Sequence, residues 1–135
     1  MKTILVGTDF SPGSDRALRV AGQLASDDTT IHLIHVLEPV DDPDSDDPET
    51  QSFYRKLEEK STKSLADQLT RLDSGEAQTS VRIGPRHLTL LEVAEELNAD
   101  LIVLGSKPMN PDSEVLSVSH RAALVSSRSI LLVPG

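Results

Sequence analysis

Apolar residues in this chain fall into short runs, each closed by glycine, proline or polar residues. Thr3-Ile4-Leu5-Val6-Gly7 is the first, and Ile31, Leu33, Ile34, Val36 and Leu37 give a second over 29–37. Asp100-Leu101-Ile102-Val103-Leu104-Gly105 and Ser129-Ile130-Leu131-Leu132-Val133 complete the set, the last closed by Pro134. Aliphatic runs this short, bounded by turn formers, predict strands covered on both faces. A fifth strand is expected at 77–83, where apolar and polar residues alternate weakly, as suits a sheet edge.

Helical spacing fills the intervals. Ser11 offers an N-cap hydroxyl and Pro12 suits the first helical position. Ala17, Leu18, Ala21, Leu24 and Ala25 follow on one face, predicting a helix over 12–26. Phe53, Leu57, Leu65, Leu69 and Leu72 mark a longer helix, with Gly75 as its left-handed C-terminal cap. Thr89 and Glu92 have capping-box spacing, and Leu88 with Val93 would form the hydrophobic staple. Val118, Ala122 and Val125 mark a last helix.

Strands alternating with helices imply parallel β-α-β units in a single domain over 1–135. Right-handed crossovers then place helices on both faces of a five-stranded sheet. The first and fourth strands end in glycine followed by polar residues, Gly7-Thr8-Asp9 and Gly105-Ser106-Lys107. Ligands in such folds bind beyond strand C-termini where the strand order reverses. A strand order of 3-2-1-4-5 brings those two loops together at that point.

Charge changes this picture in one place. The 135 residues carry a formal charge of −9. Seven acids lie between Glu38 and Glu49: Glu38, Asp41, Asp42, Asp44, Asp46, Asp47 and Glu49. Without them the remaining body is nearly balanced. Pro39, Pro43 and Pro48 punctuate the acidic stretch, so 38–52 is expected to be a mobile, solvated loop. Counted from Asp41, the sixth position is Asp46 where an EF-hand needs glycine. The body lacks a basic or aromatic cluster, which argues against nucleic acid and anionic membranes as partners. With no cysteine, a thiolate metal site and a cysteine nucleophile are excluded. The apolar N-terminal run is too short for a signal peptide or a membrane span, so a cytoplasmic protein is expected.

Candidate chemistry concentrates at the first loop. Gly7 and Gly13 enclose five residues and no lysine follows, so this is not a Walker A loop. Asp9 has two readings: it accepts hydrogen bonds from a ligand hydroxyl, or it organises its own loop. A phosphoacceptor receiver is disfavoured because the third strand ends Arg82-Ile83-Gly84, without an acid. His32 and His35 lie on opposite strand faces and cannot share a metal; packed or surface imidazoles are expected. No catalytic triad or metal set emerges, so neither catalytic nor metal-ligating residues are assigned.

Several of these segments together resemble the universal stress protein family. They are Ile4-Leu5-Val6-Gly7-Thr8-Asp9-Phe10-Ser11, Ile34-His35-Val36, Gly84-Pro85, Ala99 to Ser106, Ser117-Val118-Ser119 and Ile130-Leu131-Leu132-Val133. The resemblance implies a Rossmann-like α/β fold of the adenine nucleotide alpha hydrolase-like kind. It also implies a homodimer pairing through Ile130, Leu131, Leu132 and Val133. Some family members bind adenine nucleotides through Gly-x2-Gly-x9-Gly-Ser/Thr after the fourth strand. Here Gly105 matches the first glycine, but Pro108 stands at the second. Leu116 followed by Ser117 replaces the third in a loop two residues shorter; strict spacing puts Val118 and Ser119 there instead. Proline removes an N–H donor, and Asp112 and Glu114 repel phosphate.

Carried over residue by residue, the nucleotide positions are Gly7, Thr8, Asp9, Val36, Gly105, Ser106, Ser117 and Val118. The expectation is a stress-response regulatory module, not an enzyme, that dimerises, binds a protein partner and holds ATP poorly. The alternative is a weak ATP or AMP sensor.

Overall fold

A computed structural model describes residues 1–39, 42, 44–71, 76–106 and 118–134, with the side chains of 76, 118–120 and 124 excepted. Its elements in chain order are β1 (Thr3–Gly7), α1 (Pro12–Leu24), β2 (Thr30–Leu37), α2 (Pro48–Leu69), β3 (Glu76–Ile83), α3 (Arg86–Glu96), β4 (Leu101–Ser106), α4 (Val118–Val125) and β5 (Ile130–Pro134). The strands form one sheet in the order β3-β2-β1-β4-β5. All four pairings are parallel. The order matches the one read from the strand ends.

Alternation along each strand divides the core in two. Ile4 and Val6 of β1, Ile31 and Leu33 of β2 and Val103 of β4 face α1 and α2, meeting Ala17, Leu18 and Leu65. Leu5, Ile34, Val36, Ile102 and Leu104 face α3 and α4, meeting Leu90, Val93 and Ala122. Helices therefore cover both faces. Each of the Val, Leu and Ile side chains among them contributes about 1.5–3 kcal/mol on burial, which makes the sheet centre the main stabilising element.

The edges differ from the centre and from each other. β3 is the outer strand beside β2, and its EAQTSVRI sequence is mostly polar. β5 is the outer strand beside β4, and its sequence is ILLVP. Leu131 of β5 is 37% exposed.

Three local expectations are corrected. The acidic stretch is shorter as a loop than 38–52, because α2 starts at Pro48 with Asp47 as its N-cap. The Asp47 carboxylate accepts from the Glu49 N–H and the Thr50 hydroxyl, so an acid read as solvated repulsion caps a helix. Second, α3 starts at Arg86 after Pro85, and Thr89 is a buried helical residue instead of an N-cap. Its hydroxyl fills the space beside Gly84, where a Cβ would lie 2.4 Å from Oγ1. Third, α2 turns Tyr54 inward and leaves Phe53 46% exposed. Likewise Val125 at the end of α4 is 61% exposed and lies off the core face. The Gly75 cap falls outside the described residues.

Candidate functional site at the C-terminal edge of the sheet

The loop between β1 and α1 is built by hydrogen bonds within a few residues. The Thr8 N–H donates to Ile34 O at 2.9 Å, extending the β1–β2 ladder one step past Gly7. The Thr8 hydroxyl then donates to Ser14 Oγ at 2.9 Å and accepts from the Phe10 N–H at 3.0 Å. The Ser14 hydroxyl in turn donates to Ser11 O at 2.9 Å. Thr8 and Ser14 are buried, so this hydroxyl chain is the floor of the loop. Phe10 adopts φ 65°, a left-handed conformation that costs energy for a residue with a Cβ.

Asp9 stands between these anchors and is exposed. One carboxylate oxygen, Oδ1, accepts from the Ser11 N–H at 3.0 Å. Partial burial pushes this carboxyl up, but hydrogen bonds from Ser11 and Ser14 outweigh it and hold Asp9 below the usual aspartate range. The geometry shows the loop-organising reading of Asp9 directly. It organises its own loop through Oδ1, and the exposed group is an ionised acceptor at the edge of the sheet.

β4 delivers the other half of the site. Gly105 packs so closely on the N-terminus of α1 that a Cβ there would lie 2.7 Å from Gly13 C and O. At Gly7 a Cβ would lie 2.6 Å from Leu104 Cδ2. The strand ends of β1 and β4 and the first turn of α1 thus meet at the point where strand order reverses. Val36 is buried on the face of α3, and Ser106, half-buried, pairs with Pro134 across the β4–β5 ladder. Gly7, Thr8, Asp9, Gly105 and Ser106 all lie on this one edge. Val118 begins α4. Ser117, Pro108 and Leu116 lie outside the described residues, as do Asp112 and Glu114.

Two further residues contribute to the loop in ways that sequence spacing does not assign. Ser14 looks like an ordinary helix residue yet links Thr8 to Ser11. His35 lies on the face of α1 and α2, where its Nδ1 lies 2.7 Å from Thr8 O. Its ring meets that of Phe10 with centroids 4.5 Å apart. His32 points to the other face and pairs with Ser80 Oγ at 2.9 Å. Burial and the nearby Arg82 charge hold His32 below the usual imidazole range, against a hydrogen bond from His32 to Gln78 that favours the protonated ring. The described residues contain no cluster of three or more His, Asp or Glu able to hold a metal ion. Among them no helix is long and apolar enough to cross a membrane.

Comparison with known proteins places this edge in context. The sequence profile of the Universal stress protein family matches residues 1–134. Universal stress protein G of Escherichia coli O157:H7 is 34% identical over 135 residues, covering 92% of this chain and 90% of that protein. A hypothetical protein solved as a test case of structural genomics superposes with a TM-score of 0.84 at 23% identity, covering 99% of this chain and 96% of the other. A universal stress protein in complex with cAMP has a TM-score of 0.68 at 23% identity, over 98% and 96% of the two chains. The Archaeoglobus fulgidus protein in complex with dAMP has one of 0.65 at 18%, over 98% of each. The structural likenesses establish the Rossmann-like α/β fold, and the sequence matches go further: this chain belongs to the universal stress protein family.

Proposed function

We propose that this chain is a stress-response regulatory module that works by dimerising and binding a protein partner, not by catalysis. The observation that carries this reading is β5, an apolar strand at the end of the sheet order with Leu131 exposed. An apolar edge strand presents unpaired backbone groups and is a template for pairing with another strand. ATP is held poorly in this reading, because Pro108 and Leu116 stand where binders carry glycine. Sedimentation tests the association. A dimer is expected in the native protein, and Leu131→Lys shifts it to monomer. A strictly monomeric native protein at high concentration overturns the reading.

A second reading, a weak sensor of ATP or AMP, is favoured by the exposed Asp9 carboxylate, which follows β1 on the same edge of the sheet as Gly105. Two structural relatives are complexes with cAMP and dAMP, each carrying one phosphate. The sugar hydroxyls of such a ligand would donate to Asp9, as ribose does to acids in related folds. Calorimetry with Mg-ATP and with AMP separates the two readings. Micromolar ATP affinity that is lost in Asp9→Ala overturns the first. Absence of heat with millimolar AMP overturns the second.

A further inference from the structure

His35 is not among the positions that the family resemblance assigns to the ligand, and its surroundings give it a task. The partner of its Nδ1 is the Thr8 carbonyl oxygen, 2.7 Å away. A carbonyl oxygen only accepts, so Nδ1 carries the proton, and neutral His35 keeps its lone pair on Nε2. The alternative tautomer would set two lone pairs against each other at that distance. The bond reaches across from β2 to the residue just before Asp9. Phe10, just after Asp9, packs against the same ring at a tilt of 38°. One imidazole therefore grips both neighbours of the exposed carboxylate.

That grip is applied where the backbone is least favourable. Phe10 is held at φ 65°, which persists only when the surroundings over-determine it. The Thr8 hydroxyl holds the Phe10 N–H, and the ring contact holds its side chain. His35 lies on the side of the sheet covered by α1 and α2, so it supports the loop from beneath.

We propose that His35 is a positioning residue for this site: its Nδ1–H bond to Thr8 O sets the loop geometry that presents Asp9 to a ligand. The ligand part of this inference rests on the nucleotide-sensor reading; the loop part does not.

Three substitutions separate the two contacts. In His35→Asn the side-chain amide takes the place of Nδ1–H and the ring is lost. In His35→Phe the ring stays and the donor is lost. His35→Ala removes both. The readouts are the carboxyl titration of Asp9 by NMR in the ligand-free protein, the exchange of the Phe10 amide, and AMP calorimetry. Asp9 is expected to stay below the usual aspartate range in the native protein and in His35→Asn. It moves up towards that range in His35→Phe and His35→Ala, with faster Phe10 exchange. AMP affinity falls about tenfold in those two variants, the effect of losing one well-placed hydrogen bond, and is restored in His35→Asn. An unchanged Asp9 titration and Phe10 exchange in a folded His35→Phe overturns the proposal, even if His35→Ala fails to fold. A native protein that gives no heat with AMP overturns the sensor reading, and the ligand-free titration still decides the role of His35.

Discussion

Gly105 of β4 lies against the backbone of Gly13 in the first turn of α1, with room for a hydrogen but not for a Cβ, which would stand 2.7 Å from Gly13 C and O. Backbone atoms cannot swing aside as a side-chain terminus can. Gly105→Ala is therefore expected to push α1 off the strand end and to cost about 1–3 kcal/mol, the usual range for overpacking. Gly7→Ala meets the terminal Cδ2 of Leu104 and is expected to cost less, since that leucine can rotate. Urea unfolding of the two variants checks the order; a larger loss at Gly7 than at Gly105 contradicts it.

Ser11 serves two partners, and its loss is expected to show in both. Its hydroxyl accepts from the Ser14 N–H at 3.3 Å as the N-cap of α1. Ser11→Ala should cost about 1 kcal/mol, the typical value of a lost cap. It also removes a hydrogen bond that lowers the Asp9 carboxyl. A depressed carboxyl stabilises the fold at pH values above its unfolded titration and loses that contribution as the pH falls through the folded one. The native protein should therefore lose more of its advantage over Ser11→Ala on acidification. A difference in stability that does not change with pH would contradict the link to Asp9.

Arg128 ties the turn before β5 to the end of α3. Its guanidinium donates to both Glu95 carboxylate oxygens, to Ala99 O at 2.7 Å and to Asn98 Oδ1. Hydrogen bonds from Arg128 and Ser127 and the Arg128 charge hold Glu95 below the usual glutamate range, against a small opposing effect of desolvation. Glu95→Gln should destabilise above that range and lose its effect as acid protonates the native Glu95. Arg128→Lys should be worse at every pH, because an ammonium cannot reproduce the planar fork that spans two carboxylate oxygens and a carbonyl. Thermal midpoints across pH check both; an Arg128→Lys midpoint equal to that of the native protein contradicts the second.

Gln68 of α2 is 2% exposed, and its Nε2 donates to Asp15 Oδ1 at 2.8 Å. Its Oε1 is buried and without a partner among the described residues. Asp15 keeps a second donor in Arg71, at 2.7 Å. Gln68→Met keeps the volume, removes the stranded acceptor and should leave stability within about 1 kcal/mol of native. Gln68→Ala opens a cavity and should cost about 2 kcal/mol or more. Denaturant midpoints decide; equal losses in the two variants would mean that the stranded oxygen carries no penalty.

The sheet was legible because its strands are aliphatic runs with sharp ends. Gly7 and Gly105 marked the meeting point of two loops, and close packing on Leu104 and Gly13 is why glycine stands there. Helix starts were harder. Thr89 and Glu92 mimic a capping box, yet Pro85 sits one residue before the observed helix and supplies the turn into it. At α2 the readable signal was Asp47-Pro48-Glu49, an N-cap, an N1 proline and an acid in the first turn. The run of charge hid it. In the site, Asp9 was visible from its position after a buried strand. Ser14 and His35 were not, because each acts on a backbone or hydroxyl group whose position only the folded loop defines. Pro108 and Leu116, by contrast, are sequence facts that lie outside the described residues.

The two borders of the sheet have unlike chemistry, and this limits how copies of the chain can accumulate. Pairing of β5 with a second β5 uses the same patch twice and consumes it, so growth stops at two. Open-ended stacking would need β5 of one copy against β3 of the next. That contact would set Leu131 beside strand positions such as Gln78 and Thr79, which are exposed and polar. A polar border on one side thus disfavours open-ended pairing with the apolar border on the other.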